Sequence, residues 1–175
     1  PLVFVHHHLA YAVNDEVRRR LRLALGGPSI ASEERADTST NSGRNYFLEL
    51  LAGAGYRSAG LDVEFPADGD LTLWIDGRPL FVECKRPQTT NNIRKHIGDA
   101  GGQLMRRIGK ARMANAVGAV FLELGKVETK GQSLLVFTDH DAASRELPDH
   151  VRSLTRSLAS LWQRDAPAAI QFVVV

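Results

Sequence analysis

The side chains best suited to chemistry are concentrated between Asp70 and Lys85, in the segment DLTLWIDGRPLFVECK. Two apolar runs flank Asp76-Gly77, a dipeptide that favours a two-residue type I′ turn between antiparallel strands. With those two residues as the loop, Asp70 falls directly opposite Glu83. Because directly opposed side chains have Cβ atoms about 5 Å apart, two like charges there repel unless something lies between them.

Lys85 joins this pair, because residues two apart on a strand share a face. Two converging carboxylates beside a lysine predict a site for a hard divalent cation and a phosphate. The alternative for Glu83 and Lys85 is a surface ion pair, which contributes at most about 1 kcal/mol. Cys84 points to the opposite face, where we expect a small buried hydrophobe rather than a nucleophile.

Positive charge follows the carboxylates along the chain. The segment from Lys85 to Arg112 has eight basic residues and one acidic residue, Asp99. Such a segment beside a carboxylate pair predicts a polyanionic partner, a nucleic acid lying over the site. A solvated helix face is the alternative. The residues expected to contact the nucleic acid are Arg86, Arg94, Lys95, Arg106, Arg107 and Lys110.

Composition places the chain among ordinary globular proteins. Its 175 residues, 43% hydrophobic and 24% charged, are typical of one domain. The sequence has no run of about 18 apolar residues, so we expect no membrane-spanning helix. The single cysteine excludes an internal disulfide and fits a reducing compartment, so we expect a cytoplasmic location. Because the chain begins with Pro1, we expect a processed product or a domain of a larger protein.

Apolar periodicity and capping residues predict the elements that position these groups. Helices are expected from Asn14 to about Leu25, at 42–52, from Asn91 or Asn92 to about Ala114, and at 147–162. Glycines in the third helix indicate a kink, two helices or a close approach to another backbone. Strands are expected at 2–5, 61–65, 71–75, 79–84, 117–124, 134–138 and 169–175, with a loop at 28–42. Apolar residues on both faces of the hairpin predict an α/β fold with a mixed sheet covered on both sides.

This arrangement resembles the PD-(D/E)xK superfamily, the restriction-endonuclease-like nucleases, across about residues 42–124. The resemblance rests on Asp70 and on Glu83-Cys84-Lys85. It implies an αβββαβ core within a single domain of residues 1–175. An N-terminal helix and a C-terminal helix and strand would be additions to that core.

Two further positions match the family, and two depart from it. Glu49 stands where members often have a glutamate on the first core helix, and Gln103 where resolvase- and exonuclease-like members have a glutamine. Gly69, rather than proline, precedes Asp70, and Arg107 stands where some members have tyrosine.

The resemblance implies a Mg²⁺-dependent nuclease, an endonuclease rather than an exonuclease, that hydrolyses DNA phosphodiester bonds; Mn²⁺ is expected to substitute. The catalytic residues would be Asp70, Glu83, Lys85, Glu49 and Gln103. The metal ligands would be Asp70, Glu83, the backbone carbonyl of Cys84, and Glu49. An RNA or tRNA nuclease using the same site, a catalytically idle nucleic-acid-binding subunit, and an unrelated α/β domain with another hairpin register are alternatives. Because such enzymes often act as dimers, a homodimer is a further expectation.

Overall fold

The computed structural model describes residues 2–10, 14–27, 42–113, 115–128, 149, 152–153, 156 and 170–174. The helices are α1 (Leu2–Leu9), α2 (Asp15–Leu25), α3 (Ser42–Ser58), α4 (Thr90–Ala111) and α5 (Gly125–Glu128). The strands are β1 (Asp62–Glu64), β2 (Leu71–Ile75), β3 (Arg78–Lys85), β4 (Val117–Leu122) and β5 (Ile170–Val174). The strand predicted at 134–138 lies outside the described residues, as do most of the helix predicted at 147–162 and nearly all of the loop predicted at 28–42.

The strands form one mixed sheet whose spatial order follows the chain, β1-β2-β3-β4-β5. Neighbours are antiparallel from β1 to β3 and parallel from β3 to β5. The hairpin between β2 and β3 has the predicted register, with Ile75 paired to Arg78. Asp76 and Gly77 have φ values of 50° and 73°, as a type I′ turn requires. The predicted α/β fold with a mixed, helix-flanked sheet is therefore confirmed.

Two apolar clusters cover the two faces of the sheet. On one face, α3 packs over β1, β2 and β3, α1 and α2 pack against α3, and Cys84 lies in this cluster. On the other face, α4 packs over β3 and β4, and Phe81 lies against that cluster. Because residues two apart share a face, Glu83 and Lys85 extend from β3 on the α4 side. Cys84 faces away from them, as predicted.

The N-terminal segment and α3 differ from the prediction. Residues 2–5, predicted as a strand, belong to α1, which buries Val5 and Leu9 at the four-residue spacing of one helix face. α3 does not stop at Gly53 but continues to Ser58. Phe65 packs so tightly on Gly53 that a Cβ there would lie 3.1 Å from its Cε1 atom and nearer still to Cζ. This packing offsets the cost of glycine within a helix.

Of the alternatives left open for the glycine-containing helix after Asn91, two separate helices are not observed. α4 runs unbroken from Thr90 to Ala111, with Thr89 rather than an asparagine at its N-cap. Its apolar residues pack against the sheet at helical spacing: Ile93, Ile97, Ala100 and Leu104. No helix in the described ranges has the length and apolar character that crossing a membrane requires.

Candidate active site

Three predicted catalytic side chains meet at the end of the hairpin opposite its turn. Asp70 directly precedes β2, while Glu83 and Lys85 lie at the end of β3. Lys85 Nζ lies 3.0 Å from Glu83 Oε2 and 3.9 Å from Asp70 Oδ2. The side chains of Lys85 and Glu83 are only 15% and 3% exposed, so the surface ion pair is not what the structure contains.

The Asp70 carboxylate also accepts a backbone hydrogen bond just beyond the paired residues of β2 and β3. Its Oδ2 atom accepts a 2.7 Å hydrogen bond from the backbone N–H of Cys84. The pairing of β2 with β3 therefore continues through a side chain for one residue beyond the last strand pair, Leu71 with Val82. This bond fixes the carboxylate beside Cys84, the residue whose backbone carbonyl is a predicted metal ligand.

A buried arginine from α2 holds the fourth predicted residue, Glu49 of α3. Arg20 is 2% exposed, and its Nη1 atom donates to Glu49 Oε2 at 2.6 Å. The same guanidinium donates to Glu16 and to the backbone carbonyls of Pro66, Gly69 and Asp70. One side chain thus ties α2, α3 and the loop that carries Asp70 into a single unit.

A second buried arginine holds Glu83 from the α4 side. Arg107 donates to Thr72 Oγ1 at 3.0 Å, to the carbonyl of Leu71 at 3.2 Å and to Glu83 Oε1 at 3.5 Å. Its guanidinium carbon lies 4.6 Å from the centre of the Phe81 ring, a cation–π distance. Glu83 therefore has Lys85 on one carboxylate oxygen and Arg107 on the other.

A cavity of about 440 Å³ opens over these groups. Four of the five predicted catalytic residues line it, namely Glu49, Asp70, Glu83 and Gln103. The fifth, Lys85, does not line the cavity, but it contacts two carboxylates that do. Within the described part of the chain, Gln103 Oε1 is a buried acceptor that has no donor. Because Gln103 also lines the cavity, a turn of its amide would let this oxygen accept a hydrogen bond from a bound molecule.

Burial and repulsion from neighbouring carboxylates raise the pKa values of Glu49 and Glu83. Burial raises the pKa of Glu49 to about 8, Asp70 adds to the effect, and Arg20 opposes it. Burial and then Asp70 also raise the pKa of Glu83, against Lys85 and Arg107. Burial likewise raises the pKa of the Cys84 thiol, which suits a packed thiol rather than a nucleophile.

A divalent cation would relieve the repulsion between these carboxylates, and their oxygens are the donors that Mg²⁺ prefers, so the donor set fits a hard ion. In the described residues, no three acidic, histidine or cysteine side chains are already arranged as a metal site. Glu49 instead faces Arg20, and Glu83 faces both Lys85 and Arg107. The two buried carboxylates are therefore held in place by cations of the protein itself.

The six basic residues predicted to bind nucleic acid occupy three kinds of position. Arg106 and Lys110 are exposed and line the cavity. Arg94 and Lys95 are exposed nearer the start of α4 and are not part of that lining. Arg86 and Arg107 are buried, and Arg86 Nε lies 2.7 Å from Glu123 Oε2. The two buried guanidinium groups thus contact carboxylates of the protein instead of forming part of a solvated basic face.

Sequence analysis missed Arg20. It lies within the run Arg18-Arg19-Arg20, where three adjacent cations resemble an ordinary charged surface. The available signal was helical spacing, because Arg20 follows the buried Val17 by three residues and so shares its face. A cation on an apolar helix face indicates a buried partner.

The site combines carboxylates able to hold a cation, a partly buried ammonium group, and a cavity with basic residues at its edge. That combination suits the binding of a phosphate ester and its attack by water. No protein-family model, curated protein or solved structure matches this chain.

Proposed function

We propose that this protein is a Mg²⁺-dependent nuclease of the PD-(D/E)xK type that hydrolyses DNA phosphodiester bonds. The observation that carries the proposal is the convergence of Asp70, Glu83 and Lys85 beside one cavity. Burying charged groups costs several kcal/mol per ion, so a cluster of this kind is a candidate functional site. An arrangement needed only for stability would be replaceable by apolar residues.

Asp70, Glu83, Glu49 and the carbonyl of Cys84 are the groups that would hold the ion. When bound, Mg²⁺ supplies Lewis acidity at the phosphate oxygen and lowers the pKa of a coordinated water. The burial of the carboxylates and the raised pKa values of Glu49 and Glu83 support a site whose charge is balanced by a bound cation.

Other side chains act on the substrate and the attacking water. The Lys85 ammonium, fixed between two carboxylates, stabilises the negative charge that develops on the phosphate or orients the water. Gln103 lines the cavity and has a buried Oε1 atom with no donor among the described residues, and we assign this side chain to the attacking water. Arg106 and Lys110 contact the neighbouring phosphates from the edge of the cavity.

The test is cleavage of supercoiled DNA, linear DNA, single-stranded DNA and tRNA, each with Mg²⁺, Mn²⁺ or EDTA. We expect metal-dependent DNA cleavage, and a fall of about 10²–10³-fold in Lys85→Ala, the usual cost of removing one charge-stabilising donor. Arg78→Ala is the control, because it removes an exposed cation at the turn end of β3 that is not part of the cavity lining.

Each other outcome either indicates a different function or refutes the proposed mechanism. Cleavage of tRNA alone identifies an RNA nuclease on the same site. Binding that weakens as salt rises, with no cleavage of any substrate, identifies a nucleic-acid-binding subunit. Cleavage that persists in EDTA, or an unchanged rate in Lys85→Ala, refutes the proposed mechanism.

A further inference from the structure

The two departures from the family pattern, Gly69 and Arg107, are in contact with each other. A Cβ atom at position 69 would lie 2.6 Å from Arg107 Nε and closer still to Cζ and Nη1. Among the described glycines, positive φ occurs at Gly60 and Gly77 and not at Gly69. Glycine at position 69 is therefore required by the space that the guanidinium occupies, and not by backbone conformation.

The guanidinium cannot move aside without losing partners. Arg107 is 7% exposed and donates to the β2 backbone at Leu71, to Thr72 and to Glu83. Displacing it would leave a buried carbonyl and a buried carboxylate oxygen without their donor, and such losses are costly. A side chain at position 69 would thus disturb Glu83 without changing any charge.

We propose that Arg107 is a positioning residue that orients the Glu83 carboxylate, and that glycine at position 69 admits its guanidinium to the site. With Lys85 on Oε2 and Arg107 on Oε1, both oxygens of Glu83 have a cationic partner. Removing Arg107 leaves the carboxylate held from one side only. The catalytic consequence rests on the proposed function, whereas the packing relation between Gly69 and Arg107 does not.

A competing role is direct contact between Arg107 and a substrate phosphate, since Arg107 also lines the cavity. The two roles predict different measurements. A positioning residue changes metal affinity and kcat, because it acts through Glu83. A phosphate contact changes KM and lowers the salt dependence of binding.

The first experiment measures thermal unfolding without metal in a double-mutant cycle. Gly69→Ala should lower Tm by about 4 °C or more in the wild-type background. In the Arg107→Ala background, where the side chain beyond Cβ is absent, the same change should lower Tm by less than about 1 °C. Gly98→Ala is the control, because a Cβ there would meet nothing within 4 Å. If Gly69→Ala lowers Tm equally in both backgrounds, or does not lower it in the wild type, then Gly69 is not needed to make room for the Arg107 guanidinium.

A second cycle pairs Arg107→Met with Glu83→Gln, again by Tm and without metal. Because Arg107 acts on Glu83, the loss from Arg107→Met should shrink by about 4 °C or more when Glu83 is already an amide. Additive losses would show that Arg107 does not hold this carboxylate. Neither cycle depends on catalysis, so both judge the positioning role even if the protein proves not to be a nuclease.

The third experiment measures Mn²⁺ affinity by calorimetry together with kcat and KM. Arg107→Met should weaken Mn²⁺ binding by about 10-fold or more, lower kcat by a similar factor, and change KM less than about twofold. Arg106→Met, the control, removes the neighbouring exposed charge and should raise KM while leaving Mn²⁺ affinity unchanged. A raised KM with unchanged Mn²⁺ affinity in Arg107→Met overturns the positioning role. Wild-type protein that neither binds Mn²⁺ nor cleaves refutes the proposed function instead.

Discussion

Above about pH 8, where Glu49 is charged, replacing Arg20 with methionine should lower the free energy of unfolding by about 3–5 kcal/mol, the usual cost of removing one partner from a buried ion pair. Methionine retains an apolar stem next to Phe65, whose ring centre lies 5.4 Å from the guanidinium carbon. It removes each hydrogen bond that Arg20 donates to Glu49, to Glu16 and to the backbone carbonyls of the loop before β2. The loss is large because Glu49 is buried and its carboxylate would lose this donor.

Arg19 provides a matched control on the same helix. It donates to the same carboxylate, Glu16, at 2.6 Å, but its side chain is 48% exposed, whereas that of Arg20 is 3% exposed. Arg19→Met should therefore cost less than about 1 kcal/mol. Urea unfolding followed by far-UV circular dichroism measures both variants, with an unchanged m-value showing that the difference lies in stability.

Two results would refute this account of Arg20. If Arg20→Met costs no more than Arg19→Met, the buried guanidinium does not hold the three segments together. If the loss in Arg20→Met is unchanged when Glu49 is also replaced by glutamine, Arg20 and Glu49 are not coupled. Either result would remove the main link between α2 and the candidate site.

Three further predictions concern ions, pH and packing. Mn²⁺ at ten times its dissociation constant should add about 1.4 kcal/mol to the free energy of unfolding; a Tm increase that persists in Asp70→Asn would place the ion elsewhere. Because the pKa of Glu49 is raised from 4.5 to about 8, the folded protein retains a proton that the unfolded chain releases. Metal-free protein should therefore lose stability from about pH 4.5 to 8 relative to Glu49→Gln, and parallel pH profiles of the urea midpoint would contradict this. Gly53→Ala should lower the free energy of unfolding by about 1–3 kcal/mol, because the added Cβ crowds Phe65. Gly55→Ala is the control and should cause no such loss, because its Cβ would have nothing within 4 Å. Equal urea midpoints for the two variants would contradict the packing of Phe65 on Gly53.

The hairpin was predictable because its information is local. The type I′ turn at Asp76-Gly77 fixes the register of both strands, and the register places Asp70 beside Glu83. The side chains then follow from strand alternation, which also put Cys84 on the opposite face. The central αβββαβ order followed from periodicity in the same way, although the superfamily assignment stays a prediction.

Features set by distant contacts were not predictable. The glycines of α3 indicate a helix end, but Phe65 packs on Gly53 and the helix continues. Arg107 reads as one cation of a basic segment, and only the folded chain shows that it points inward to Glu83. Residues 2–5 are too short a segment for apolar periodicity to separate a strand from the first turns of a helix.

The hydrogen bond from the Cys84 amide to Asp70 Oδ2 makes this amide a natural spectroscopic reporter. Its proton exchanges with solvent only when the carboxylate releases it, so its exchange rate measures how often the site opens. An ion that binds Asp70 draws charge from the same oxygen and should shift the amide resonance. Isotope labelling of Cys84, the only cysteine in the chain, would give one assignable signal for following the site without any substrate.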